Sequence, residues 1–251
     1  LLSAQGLAKL AEGEADAAGE LIERAVVAAP QLAYAQMARA RLLQASGEIA
    51  LLRAQLDTIF AIDPAYSPAL SLLGDLELQQ KKLEAAEQAY TRAIDTGTSG
   101  VTQFADRLKR ALVLIALQQY DAAQVDASYL LARAPKHPSS HYVQGLIHFQ
   151  QKKVAEARAA FDQALPAKEH YPQVLYYLAA LHLLEGSREQ ATAYASEFYG
   201  IAPGNIAGRK LLATIRLDEK EYTEVEALIR PVLALGQNLS LLHISEPTRP
   251  Y

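Results

Sequence analysis

Small and apolar residues recur along this chain with a single period. Gly6, Ala40, Gly74, Ala111, Gly145, Ala179 and Ala213 follow one another at steps of 34, 34, 37, 34, 34 and 34. Twelve residues after each comes Ala18, Leu52, Ala86, Ala123, Ala157, Ala191 or Val225, and seven further on Ala25, Ile59, Ala93, Leu130, Ala164, Phe198 or Val232. All fourteen are apolar, so one pattern is written seven times. Prolines close several units at a shared phase: Pro64 lies 34 residues after Pro30, and Pro203 lies 68 after Pro135. A proline beyond a helix end stops the helix there. Each unit therefore reads as helix A, a short polar turn, helix B and a break. The small residue sits where the two helices cross closely, because a larger side chain would hold them apart. The pattern predicts an all-α chain with repeats near 1–32, 33–66, 67–103, 104–137, 138–171, 172–205 and 206–238.

The third unit carries Leu70, Leu73, Gly74, Ala86, Tyr90 and Ala93, and the fifth Gly145, Ala157, Phe161 and Ala164. These residues and the 34-residue period resemble the tetratricopeptide repeat, whose signature has Leu-Gly, Tyr, Ala, an aromatic and Pro at fixed offsets. The family's tryptophan is missing, as the chain has none. The resemblance implies a right-handed α-solenoid of about seven helix-turn-helix repeats, each unit contacting its neighbours.

Two places break the pattern. The third unit lacks a closing proline and runs through Thr96, Gly97, Thr98, Ser99 and Gly100, with the next phase three residues late, which predicts a flexible joint. Just beyond it, Arg107 and Arg110 stand where the third unit has Leu70 and Leu73. Two cations on a face expected to be buried read either as an anion-binding site at a bend or as a rotated helix whose arginines snorkel past their neighbours. The second break is the segment 239–251, LSLLHISEPTRPY, where Pro247 and Pro250 oppose a helix. It is expected to be a non-native or disordered tail without function. The opening residue is Leu1, already within the repeat, so the array is expected to extend beyond this stretch, with any signal or lipid anchor outside it.

Composition narrows the chemistry. A formal charge of −4 and a pI near 5.9 argue against a general nucleic-acid binder, which needs a basic stripe. With no cysteine there is no disulfide framework, thiolate metal site or cysteine nucleophile. No run approaches the length of about 18–20 apolar residues that a membrane-spanning helix needs. The six histidines show no HExxH spacing, and His148 and His182 share one repeat position, which marks them as packing residues with a polar tip. No phosphate loop, nucleophile elbow or triad-like set is present. A non-enzyme without cofactor or metal is expected.

In tetratricopeptide proteins the concave groove is lined by residues three before and one after the small residue. The resemblance thus points to Met37 and Arg41, Ser71 and Asp75, Leu108 and Leu112, Tyr142 and Leu146, Tyr176 and Ala180, and Lys210 and Thr214, with Tyr34 and Phe149 adjoining. Such a mixed surface suits an extended peptide or a partner helix. Of two specialised grooves in the family, only Lys210 with Thr214 approaches the carboxylate clamp. The asparagine ladder has no counterpart, since Asn205 and Asn238 fall outside helix A.

From His137 to Leu235, and above all in HYVQGLIHFQQKK and NIAGRKLLA, the chain is similar to the bacterial tetratricopeptide lipoprotein of the PEP-CTERM protein-sorting system. That resemblance implies a lipid-anchored periplasmic scaffold near exopolysaccharide export, binding a protein or peptide. A cytoplasmic assembly adaptor is one alternative. Another is a carbohydrate-binding module that uses Tyr142, Phe149 and Tyr176 as sugar-stacking platforms for a polysaccharide. Nucleic acid is not an expected partner.

Overall fold

The computed structural model describes residues 1–97 and 100–234. The segment expected to be a tail, 239–251, lies outside them, as do Thr98 and Ser99 of the predicted joint, Asn238 and His243. Among the described residues there are helices and no strand. They come in pairs: α1 (Leu2–Ala11) with α2 (Ala15–Ala28), α3 (Ala33–Ala45) with α4 (Ile49–Ile62), α5 (Ser67–Gln79) with α6 (Leu83–Thr96), α7 (Gly100–Ala116) with α8 (Tyr120–Arg133), α9 (Pro138–Gln150) with α10 (Val154–Ala164), α11 (Gln173–Leu184) with α12 (Arg188–Ile201), and α13 (Ile206–Asp218) with α14 (Tyr222–Ala234). This is an all-α helical-repeat fold, as the periodicity predicts. Contacts divide the chain into two compact units, Leu1–Asp126 and a second from Ala127 onward, and the division falls inside α8.

The small residues sit at helix crossings and all seven are buried. A methyl added to Gly145 would stand 2.8 Å from two atoms of the Phe161 ring, and one added to Gly6 would stand 2.6 Å from Ile22. At Gly74 the same atom would enter the Tyr90 ring. Large side chains on helix B thus fill the space that the missing Cβ leaves on helix A, which is how interiors reach crystal-like density. Within the first unit, Leu52, Leu56 and Ile59 of α4 lie between Met37 and Ala40 of α3 and Ala69, Leu72 and Leu76 of α5, joining one repeat to the next.

Every A–B turn ends helix A in the same way. Seven residues after each small residue the backbone is left-handed: Gly13, Gly47, Lys81, Gln118, Lys152, Gly186 and Lys220 all have positive φ. The following amide donates back to the helix, as in Glu14 N to Lys9 O and Lys153 N to His148 O, the six-to-one bond of a Schellman cap. Three glycines adopt this conformation freely, whereas Lys81, Gln118, Lys152 and Lys220 hold it at φ of 60–63° despite a Cβ.

The predicted joint takes a different form. Helix α6 continues to Thr96, and α7 spans 17 residues where α3, α5, α9 and α13 span 13. The three extra residues of spacing are absorbed as added helix at the start of α7. Gln103 Nε2 of α7 donates to Gly97 O at 2.8 Å, and Ser67 Oγ of α5 donates to Ala93 O at 2.9 Å.

Candidate functional site

In the first unit, helix periodicity places Tyr34, Met37 and Arg41 along one stripe of α3. Tyr34 is 44% exposed, and Arg41 is half-buried with its guanidinium bonded to Gln44 Oε1 at 2.9 Å. Met37 departs from the expectation of a groove residue: it is 6% exposed, because α4 and α5 cover it. On α5, Ser71 and Asp75 are half-buried and turned toward α7. Ser71 Oγ donates to Asp106 Oδ1 at 2.5 Å, and Lys109 Nζ donates to both Asp75 oxygens at 2.6 and 2.9 Å. The Tyr90 hydroxyl also donates to Asp75 at 2.7 Å, and Lys109 lies 5.7 Å from the Tyr90 ring centroid. The α7 side chains bonded to this face are therefore Asp106 and Lys109, whereas the predicted Leu108 and Leu112 are half-buried apolar neighbours. Offsets counted from the small residue find the groove of one helix but not the side chains a neighbouring helix sends across. Asp106 is 3% exposed, and burial holds its carboxyl above the ordinary carboxylate range, with the Ser71 hydroxyl and the Lys109 charge opposing.

The two arginines expected to meet an anion meet one from this chain. Asp126, 0% exposed, receives Arg110 Nε on Oδ2 at 2.8 Å, and on Oδ1 receives Arg110 Nη2 at 2.7 Å and Arg107 Nη1 at 2.8 Å. Arg110 Nη1 further donates to Thr91 Oγ1 at 3.0 Å, and that hydroxyl donates to Glu87 at 2.8 Å. The bonds to Asp126 raise the Arg110 pKa against the opposing effect of burial. Reading Arg107 and Arg110 as a ligand-anion contact is thus corrected: their positive charge is matched internally. The missed partner had a signal, since Asp126 occupies a phase filled elsewhere by Leu21, Gln55, Ala89, Ala160, Tyr194 and Leu228. A lone acid in a largely apolar register, next to two arginines in an apolar register, reads as a buried ion cluster.

The second unit corrects the aromatic part of the groove. Tyr142 and Tyr176 are 1% and 4% exposed. Tyr142 stacks on Tyr171 with centroids 4.6 Å apart, Phe161 stacks on Tyr177 at 4.8 Å, and Tyr176 meets Phe198 at 5.8 Å. Phe149, half-buried, points edge-on at Tyr177 across 4.9 Å. Burial pushes the Tyr176 phenol up to about 12 and also raises Tyr142 and Tyr177. Sugar stacking needs a free ring face, and the buried Tyr142 and Tyr176 offer none. The reason lies in α11, whose residues from Val174 to Leu181 are all buried, so it has no outward face for Tyr176 to occupy. The predicted Leu146 and Ala180 are buried as well, while Lys210 and Thr214 of α13 stay half-buried, with Thr214 Oγ1 bonded to the Lys210 carbonyl at 2.9 Å. Asn205, outside helix A as expected, caps α13 through Oδ1 accepting from Gly208 N at 2.9 Å.

His148 and His182 both bury an Nδ1 atom that has no hydrogen-bond partner among the described residues, and His182 stacks on Tyr194 at 5.6 Å. Burial and nearby Lys153 lower the His148 pKa. Among the described residues no three His, Cys, Asp or Glu side chains gather as metal ligands, and no helix is long and apolar enough to cross a membrane.

The model of the tetratricopeptide repeat family matches residues 37–100 and 108–172, just over half of the chain. No curated protein sequence matches. Among solved structures, the chain is similar to the anaphase-promoting-complex assembly Cut9–Hcn1, with a TM-score of 0.77 at 15% identity over 92% of this chain; it spans 45% of that chain, under half its length. It is similar to PilF of Pseudomonas aeruginosa, with a TM-score of 0.74 at 19% identity, covering 86% of this chain and 96% of the other. YrrB, described as a tetratricopeptide protein with an unusual peptide-binding site, aligns with a TM-score of 0.58 at 16% identity over 80% of this chain and 97% of its own. Identities this low speak to the fold alone.

Proposed function

The chain belongs to the tetratricopeptide repeat family, whose repeats serve as protein-interaction scaffolds, and from that premise we propose that it holds an extended segment of a protein partner across the A helices of Leu1–Asp126, without catalysis. The observation that carries this reading is the contrast between the units. On α3, α5 and α7 the face keeps Tyr34, Arg41, Ser71, Asp75 and Lys109 at least partly open, whereas on α9 and α11 the corresponding Tyr142, Leu146, Tyr176 and Ala180 are interior. Charged and hydroxyl side chains on adjacent helices supply the directional contacts that an extended peptide recognises. The peptide-binding site for which YrrB is described favours the same use of the fold.

The proposed setting is the bacterial envelope, in exopolysaccharide export or PEP-CTERM protein sorting, with attachment through a lipid anchor outside this stretch. Its support is the resemblance of residues 141–153 and 205–213 to that system's lipoprotein. Likeness in fold to PilW, described as a type IV pilus biogenesis factor, is consistent with an envelope scaffold. The test is capture from envelope extract by the immobilised chain, in parallel with a Tyr34→Ala, Arg41→Ala, Asp75→Ala variant. A binder retained by the first and lost by the second supports the face. Equal retention by both overturns it, and recovery of cytosolic chaperones alone removes the envelope setting in favour of a cytoplasmic adaptor.

A further inference from the structure

The second unit fills its groove at the middle of α9 and α11 but leaves the ends of the A helices open. Tyr142, Leu146, Tyr176 and Ala180, three before and one after the small residue, are buried. Four after it stand Phe149, Leu183 and Leu217, on α9, α11 and α13, and none of the three is buried. Leu217 is 41% exposed, while Leu184 and Tyr222, at the same A–B turns, are 62% and 64% exposed. Single exposed apolar side chains need no explanation, whereas one register left open on three consecutive A helices makes an apolar rim. These helices are neighbours: Phe149 meets Tyr177 of α11 edge-on at 4.9 Å, and α11 packs on α13. The charges along the rim change sign. Beside Phe149, Lys152 and Lys153 stand against one acid, Glu156, and both lysines are exposed and in no ion pair among the described residues. In the middle, Arg158 is paired with Glu185 at 3.1 Å and Arg188 with Asp218 at 3.4 Å. Beyond Leu217, Glu219, Glu221 and Glu224 outnumber Arg216 and Lys220, and Arg216 is shared between Glu219 and Glu224.

We propose that this rim binds a partner segment in polyproline II conformation, with an apolar side chain at every third position, an acidic end against Lys152 and Lys153 and a basic end against Glu221. Packed helices lie about 8–10 Å apart. A polyproline II segment advances about 9 Å in three residues and returns each third side chain to one side, so one such side chain meets each of Phe149, Leu183 and Leu217. A β-strand sends residues three apart to opposite faces and cannot do this. Phe149 and the exposed Tyr222 supply the aromatic surface on which such segments dock. The opposite charges at the two ends fix which way the segment lies. This surface uses no residue of the first-unit face and stands or falls independently of it.

The test is amide-resolved NMR on the full chain with capped peptides of equal length. The first is rich in proline, with leucine at every third position, glutamates at one end and lysines at the other. The second is its isomer with leucine at every second position, and the third is the first peptide with glutamine at both ends. The first is expected to shift the Phe149, Leu183 and Leu217 amides saturably and to bind at least about tenfold more tightly than its isomer, the scale of one leucine left uncovered. The glutamine-ended peptide should bind about two- to fivefold more weakly, the scale of exposed ion pairs. Leu217→Gln, at an exposed position, should largely remove the spacing preference with the helical signal intact. Should that variant not fold, the isomer comparison on the unaltered chain decides by itself. Equal affinity of the two isomers, an undiminished preference in Leu217→Gln, or glutamine ends that bind as well overturns the proposal. So does tighter binding at these amides by a helical peptide with leucine at every seventh position, a repeat of about 10 Å. Shifts confined to Tyr34, Ser71 and Asp75 overturn it too, while supporting the first-unit face. Shifts at the rim that grow with protein concentration in the absence of peptide give the rim to a second copy instead and overturn it as well.

Discussion

Replacing Gly145 by alanine isolates the packing at a helix crossing from the ordinary helix preference of the two residues. The added methyl would lie 2.8 Å from Phe161 Cδ1 and Cε1 and 3.1 Å from Cγ. Comfortable carbon contacts begin near 3.5 Å, so ring or helix must retreat by roughly 0.7 Å. The ring has nowhere to go: it is fully buried and stacked at 4.8 Å on Tyr177, with Tyr142 tilted against it at 6.2 Å. Overpacking of this kind costs about 1–3 kcal/mol, against which alanine returns about 1 kcal/mol of helix propensity. The net expectation is a loss of up to about 2 kcal/mol. Gly200, in α12 of the same unit with nothing within 4 Å of its would-be Cβ, is the control. There the same substitution should stabilise by about 0.5–1 kcal/mol. Urea unfolding followed by far-UV circular dichroism gives both midpoints, and Phe161→Leu combined with Gly145→Ala should cost less than the two changes summed. Equal shifts for Gly145→Ala and Gly200→Ala would show that the crossing has slack and that the small residues are not there for contact.

Lys152→Gly should raise stability by up to about 1 kcal/mol by relieving a left-handed residue, and a destabilised variant in urea titration contradicts the strain. Arg110→Leu leaves Asp126 buried with only Arg107 and should cost about 3–5 kcal/mol, much of it restored by adding Asp126→Leu; a loss under about 1 kcal/mol in the single variant counts against the cluster. Tyr176→Ala, which groove exposure would have left harmless to the fold, should cost about 3–5 kcal/mol and show as lost thermal stability, whereas an unchanged melting curve returns the ring to the surface. His148 binds its proton less readily folded than unfolded, so stability should hold above its ordinary value of 6.5 and decline as pH falls below it. His148→Gln should flatten that slope; an identical pH profile places the dependence elsewhere.

The repeat phase carried the fold. The small residues and the apolar positions after them fall at crossings and in cores because a helix pair is local, and residues 12 and 19 apart on it meet whatever the rest of the chain does. The turn geometry was also present but veiled, as Gly13, Gly47 and Gly186 share their phase with Lys81, Gln118, Lys152 and Lys220. Only the glycines advertise a left-handed residue, while the lysines and glutamine adopt it because the Schellman bonds require it. The extra three residues before Ala111 looked like a loosened joint, yet they add to α7 because nothing in Gly100 to Asp106 forbids helix.

The binding face was less readable, because repeat offsets say which way a side chain leaves its own helix and nothing of what lies in its path. Tyr142 and Asp75 leave comparable helices in comparable directions, yet Tyr171 lies over the first and Lys109 reaches to the second. In the same way Arg107 and Arg110 were visible as misplaced cations, but which anion answered them depended on the packing that brings Asp126, up to 19 residues away, within reach of both. Periodicity is a property of one helix pair and survives in the order of the letters. Burial and charge pairing belong to neighbouring pairs at once, and they exist only after the pairs have packed.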